Sequence, residues 1–195
     1  PFDQPDVEAA KIAARKLTDE VEETGALPAE APFYAEHGIE LFADPDEAAA
    51  LFLATDERSL RGLLAAHLDR ARPGDYVALC AFLAMNAENE AAMAELRNAV
   101  SKVTGVATTL GFGPRFLHST GQAHKGGPAT GLFLQFTDRP SADLPVPNRR
   151  LTFGQVIAAQ ARGDFEVLTI RGRRALRIHF AMGAEKGLKR LVGAL

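Results

Sequence analysis

The decapeptide Tyr76-Val77-Ala78-Leu79-Cys80-Ala81-Phe82-Leu83-Ala84-Met85 is an unbroken apolar run and reads as a central strand. Residues 88–104 follow it as an amphipathic helix. Ala92, Met93, Leu96, Ala99, Val100 and Val103 face inward, and Gly105 lies just past the end. Residues 106–112 then alternate, with Val106, Thr108, Leu110 and Phe112 on one face. Residues 132–137 alternate again through Leu132, Leu134 and Phe136. Thr152 and Gln155 form a capping-box pair that starts another helix, which Gly163 can end. Residues 174–180 close the pattern with Leu176, Ile178 and Phe180 on one face. Strand, helix, strand, strand, helix, strand is the ferredoxin-like split β-α-β order. The expected class is therefore α+β: a ferredoxin-like β-α-β-β-α-β antiparallel sheet, with both helices on one face and additional N-terminal helices. Half-polar strands suit a sheet that keeps one face partly wet.

Upstream, residues 5–24 read as a helix. Pro5 suits its first turn, Asp6 and Glu8 favour its N-terminus, and Val7, Ala10, Ala14, Leu17 and Val21 form an apolar stripe. Residues 27–32 hold two prolines and read as a linker. A short strand over 38–43, a short helix near 46–52 and a stronger helix over 60–72 come next. Downstream, residues 164–171 read as a second short helix or, over 167–170, as extended chain, and a last helix is expected near 184–191.

Between two of the strands lies residues 111–131, a stretch with glycine at 111, 113, 121, 126, 127 and 131. Arg115, His118, Ser119, Thr120, Gln122, His124 and Lys125 are set among them. Cationic donors and hydroxyls on a permissive backbone suit an anion such as a phosphate or carboxylate. The stretch fits neither G-x-x-x-x-G-K-[ST] nor G-x-G-x-x-G, so no motif names its ligand. The plainer reading is a long connection whose glycines only turn the chain. His118 and His124 have no Cys or carboxylate neighbours that would complete a metal shell, so no metal is expected. His118 beside Ser119 is not a spacing that orients an imidazole on the hydroxyl.

The 195 residues are enough for one domain, or one domain with an appendage. A formal net charge of -3 points away from a broad nucleic-acid footprint. The single cysteine, Cys80, excludes an internal disulfide and fits a cytoplasmic setting. No apolar run is long enough to span a bilayer. The chain begins at Pro1 on the approach to a helix and reads as a piece of a longer protein.

The segment Phe2-Asp3-Gln4, with Val7-Glu8 and Lys11 at their spacing, resembles the C-terminal signature of phosphoglucose isomerases. Gly113-Pro114-Arg115-Phe116-Leu117-His118-Ser119-Thr120-Gly121-Gln122, then His124-Lys125-Gly126-Gly127-Pro128, is similar to the far C-terminal region of bacterial bifunctional transaldolase/phosphoglucose isomerases. So are Gly131-Leu132-Phe133-Leu134-Gln135 and Gly163-Asp164-Phe165-Glu166. The resemblance implies interconversion of glucose 6-phosphate and fructose 6-phosphate, with no cofactor. It implies that Lys11 assists ring opening and that Gln4 lies near the sugar phosphate. It divides the chain into residues 1–32, the last helix of the isomerase domain plus a linker, and an α+β domain over 33–195. The partners it implies are sugar phosphates and the upstream isomerase and transaldolase domains, with a homodimer left open. The carboxylate, arginine and histidine of the isomerisation step, and the Schiff-base lysine of the transaldolase, match nothing in this chain. The fragment alone is therefore expected to be inactive. A non-catalytic reading keeps Arg115, His118, Ser119, Thr120 and Lys125 as holders of an anionic effector or as an assembly surface.

Overall fold

The computed structural model describes residues 3–140 and 142–194. Its centre is a six-stranded mixed sheet in the order β1-β2-β6-β5-β3-β4, with β1 Tyr34–Glu36, β2 Ile39–Phe42, β3 Tyr76–Phe82, β4 Ala107–Phe112, β5 Gly131–Asp138 and β6 Arg174–Phe180. β3 pairs in parallel with both β4 and β5, and β5 pairs in parallel with β6. Only the edge hairpin is antiparallel, β1 on β2 and β2 on β6. Its turn, His37-Gly38, has φ of 50° and 80°, the positive pair that a tight two-residue hairpin requires.

The apolar run at 76–85 is central, as its composition requires. Val77, Leu79 and Ala81 enter one core and Ala78, Cys80 and Phe82 the other. A strand buried on both faces has no polar side to show, which is the signature of a parallel sheet between helix layers. The helices are α1 Pro5–Thr24, α2 Pro45–Ala54, α3 Leu60–Leu68, α4 Ala87–Thr104, α5 Ser119–Gly126, α6 Phe153–Ile170 and α7 Ala184–Ala194. The first core is closed by α2, α3, α4 and α7 through Leu51, Leu64, Met93, Leu96 and Leu188. The second is closed by α6 through Ala161, Phe165 and Leu168, with Phe116 from the turn before α5. α1 packs along α6 and α5 on that side.

The mixed helix-and-strand class holds, but the antiparallel ferredoxin-like sheet does not. The helices that start near Glu88 and Thr152 lie on opposite faces. The cause is α5. It occupies the glycine-rich stretch, where a connection between successive strands was expected, and it turns that connection into a crossover. β4 and β5 are thus not neighbours, because β3 stands between them.

Gly163 does not stop a helix either. α6 runs through it to Ile170, so no separate helix exists over 164–171. A Cβ at Gly163 would lie 2.7 Å from the Ala14 nitrogen and 2.8 Å from the Ala10 oxygen. The glycine is there so that the backbones of α1 and α6 can touch.

Candidate functional site

The path of the chain makes a crevice. From β3 it crosses over one face to β4, then returns over the other face to β5, on the far side of β3. At the carboxyl ends of β3 and β5 the connections leave in opposite directions, which is the place where open α/β sheets hold ligands. A cleft of about 1100 Å³ opens there. Phe82, Leu83 and Ala84 line it from the end of β3, and Thr137 and Asp138 from the end of β5. The first turns of α4, α6 and α7 also reach it, at Glu88, Gly154 and Ala184. Their free N–H groups are partly met from within the chain. The Asn86 side chain accepts from Asn89 N at 2.8 Å, Asp143 from Gly154 N at 2.8 Å, and Asp138 from Ala184 N at 3.3 Å. Burial pushes the Asp138 carboxyl above its usual range.

The cleft extends from the sheet edge down between the sheet and α6, where Ala158 and Ala161 leave room. The sheet face below is polar. Thr137, His179 and Glu40 stand in one register row across β5, β6 and β2. Thr137 Oγ1 lies 2.9 Å from His179 Nδ1. Burial holds the His179 imidazole below its ordinary pKa, against the pull of Glu40. The next row carries Gln135, Arg177 and Phe42. Arg177 is 4% exposed, donates to Glu30 at 2.8 Å, and lies over the rings of Phe42 and Phe165 at 4.3 and 5.3 Å. Arg162 also pairs with Glu30, at 2.7 Å. Arg139 is exposed at the mouth. Leu144, Phe153 and Met182, each at least half exposed, give the rim an apolar edge.

The residues singled out in the sequence lie elsewhere. Gln4 caps α1 through its carbonyl oxygen, which accepts from Glu8 N at 3.0 Å. Lys11 is on the outward side of α1, paired with Glu8 at 2.7 Å. The start of α1 is fixed at the amino-end edge of the parallel strands, opposite the cleft. Asp6 pairs there with Arg171, just before β6, and accepts from Gln122 Nε2 at 2.6 Å. Arg115, His118, Ser119 and Thr120 are all exposed, in and just after the short turn that precedes α5. Lys125 is only 1% exposed and is ion-paired with Asp164 of α6, itself 2% exposed. Gln135 Nε2 completes this cluster with bonds of 3.0 Å to Ala161 O and 3.3 Å to Asp164 Oδ2. The six substrate-binding candidates are thus not gathered round one point. Sequence reasoning passed over Thr137, Arg177 and Glu40. The signal for them was there: polar residues at alternate positions of otherwise apolar strands share one face.

His124 is buried between Tyr76 and Phe133, with ring centroids at 6.0 and 5.2 Å. Burial, helped by the charge of Lys125, pushes its pKa down to about 4. It is therefore neutral where a free imidazole would be charged, and it supplies no cation to the surface near pH 6. The unfolded chain takes up this proton near pH 6.5 and the folded chain only near pH 4. Stability owed to His124 is complete above pH 6.5 and is lost as pH falls toward 4, to a total of about 2–4 kcal/mol. His124→Phe is expected to flatten that part of the acid limb in denaturant titrations between pH 7 and 4. An unchanged limb would mean that His124 titrates normally.

No metal-holding group of three or more His, Cys, Asp or Glu side chains occurs among the described residues. Nor is any helix among them long and apolar enough to cross a membrane. No family model and no curated protein matches the chain. Among solved structures it is similar to the hypothetical protein TT0462 from Thermus thermophilus. The TM-score is 0.62 and the identity 16%, over 76% of this chain and 40% of that one. The likeness is one of fold. The chain spans well under half the length of the protein it resembles.

Proposed function

We propose that this chain is the C-terminal part of a sugar-phosphate isomerase, which interconverts glucose 6-phosphate and fructose 6-phosphate once joined to its upstream part. In this reading the full-length protein also carries a transaldolase and works in the cytoplasm. Lys11 and Gln4 contribute to a centre whose remaining groups lie upstream. The signature at residues 1–11 supports this assignment, and so does the mounting of α1. Its inner side is locked by Asp6, Gln122, Arg171 and Gly163, while Glu8, Lys11, Ile12 and Arg15 face outward. Ile12 is 66% exposed beside Lys11, a side that another domain or a second copy would cover.

The observation that carries most weight is the cleft at the carboxyl ends of β3 and β5, because it is formed by residues of this chain at the crossover of its connections. It favours a binding module for a phosphorylated sugar, acting as substrate or effector. The two readings meet in one expectation: the isolated chain binds fructose 6-phosphate and does not turn it over. Amide shifts on adding millimolar fructose 6-phosphate should fall on Thr137, Asp138 and His179. Shifts confined to Gln4 and Lys11 would remove the cleft from the proposal, and turnover by the chain alone would remove the missing upstream centre.

A further inference from the structure

The cleft carries charge at two depths, and its exposed rim holds both signs, Arg139 and Lys186 with Glu88, Asp143 and Glu185. Of its arginines, Arg177 and Arg162 are both committed to Glu30, and Arg177 is further held between two aromatic rings. Neither is free to receive a phosphate. The floor row places the Glu40 carboxylate next to His179. Asp138, one position past Thr137, points to the other face and accepts from Ala184 N. A phosphate lowered onto that floor would meet the Glu40 carboxylate and lose its water, which is costly for a dianion. Ligand hydroxyls meet the opposite situation. A carboxylate accepts from them, and a neutral imidazole fixed at Nδ1 by Thr137 can give or accept one bond at its other nitrogen. The mouth differs again. Arg139 is exposed there and takes part in no ion pair among the described residues.

We infer that the cleft binds a phosphorylated polyol in one direction, its phosphate at the mouth on Arg139 and its hydroxyls on the floor row of Thr137, His179 and Glu40. His179 is then the residue that distinguishes a sugar phosphate from phosphate itself. This rests on the cleft being the ligand site, and the test separates the two ideas. Calorimetry on the whole 195-residue chain would measure fructose 6-phosphate directly and inorganic phosphate as its competitor. Arg139→Ala should weaken both ligands by about tenfold, the loss of one charge-assisted contact. His179→Phe should weaken fructose 6-phosphate by about tenfold and leave inorganic phosphate unchanged. His179→Gln, which keeps a donor and an acceptor, should stay close to the parent. Thr137→Val, isosteric and milder on folding, should lower the sugar-phosphate affinity alone. If His179→Phe and Thr137→Val leave fructose 6-phosphate untouched, or weaken both ligands equally, the orientation is wrong while the cleft stands. If the parent chain binds no fructose 6-phosphate, both ideas fall.

Discussion

Lys125→Met is expected to destabilise the folded chain by about 3–5 kcal/mol, because it strands the Asp164 carboxylate without its countercharge. For a domain of this size that corresponds to a fall of about 10 °C in Tm. Lys125 and Asp164 are among the most deeply buried charged groups described, at 1% and 2% exposure, and Gln135 is the other polar side chain bonded to the carboxylate. Removing both partners should behave differently. Lys125→Met with Asp164→Leu replaces the pair by apolar groups of similar size, and buried pairs so replaced are often neutral or more stable. The double variant should therefore recover most of what the single one loses. The pH dependence supplies a sign. Burial raises the Asp164 pKa, and Lys125 opposes it. Without Lys125 the carboxyl titrates higher still, and a raised acid costs stability increasingly as pH climbs from its unfolded toward its folded pKa. The gap between parent and Lys125→Met should hence narrow as pH falls from 7 to 5. Release of His124 from the Lys125 charge acts in the same direction. Equal destabilisation at both pH values, or a double variant as weak as the single, would mean that Asp164 is not carrying an isolated charge.

This pair also shows where the sequence stopped being legible. Lys125 lies among glycines, His124 and Gln122, a setting that reads as exposed and anion-seeking. Its anion is indeed a carboxylate, but one 39 positions later in the same chain, on a helix that its spacing did not connect with it. Most elements were readable, because burial on one face leaves periods of two or 3.6 residues. The layer order was not. It depended on α5, eight residues with glycine at 121 and 126, which lacks the propensity that would have announced a helix. Once that helix was read as a connection, two successive strands looked like antiparallel neighbours. Gly163 misled in the same way, since a glycine placed for close approach looks like one placed to end a helix. The floor of the cleft was half visible. Thr137 and His179 alternate with apolar residues, yet only the sheet register shows that they meet each other and Glu40 in one row.

In the full-length protein, Lys11→Ala is expected to lower kcat by about 100-fold, the lower end of what a positioned acid–base group contributes. Among the described residues Lys11 makes a surface pair with Glu8 on the same helix, 49% and 61% exposed. Such a pair is worth little, because solvent screens both charges and two long side chains must be ordered to form it. Losing it should leave the melting temperature of the isolated chain almost unchanged, which makes the variant a clean probe. A kinetic defect without a stability defect would have to arise where α1 meets something outside this chain. The companion change is Glu8→Gln, which removes the partner charge and keeps the lysine. If Lys11 works in the catalytic centre, Glu8→Gln should leave kcat close to that of the parent, while Lys11→Ala lowers it. Full activity in Lys11→Ala would reduce the likeness at residues 1–11 to a coincidence of spacing. The function of the chain would then rest on the cleft at the far edge of the sheet.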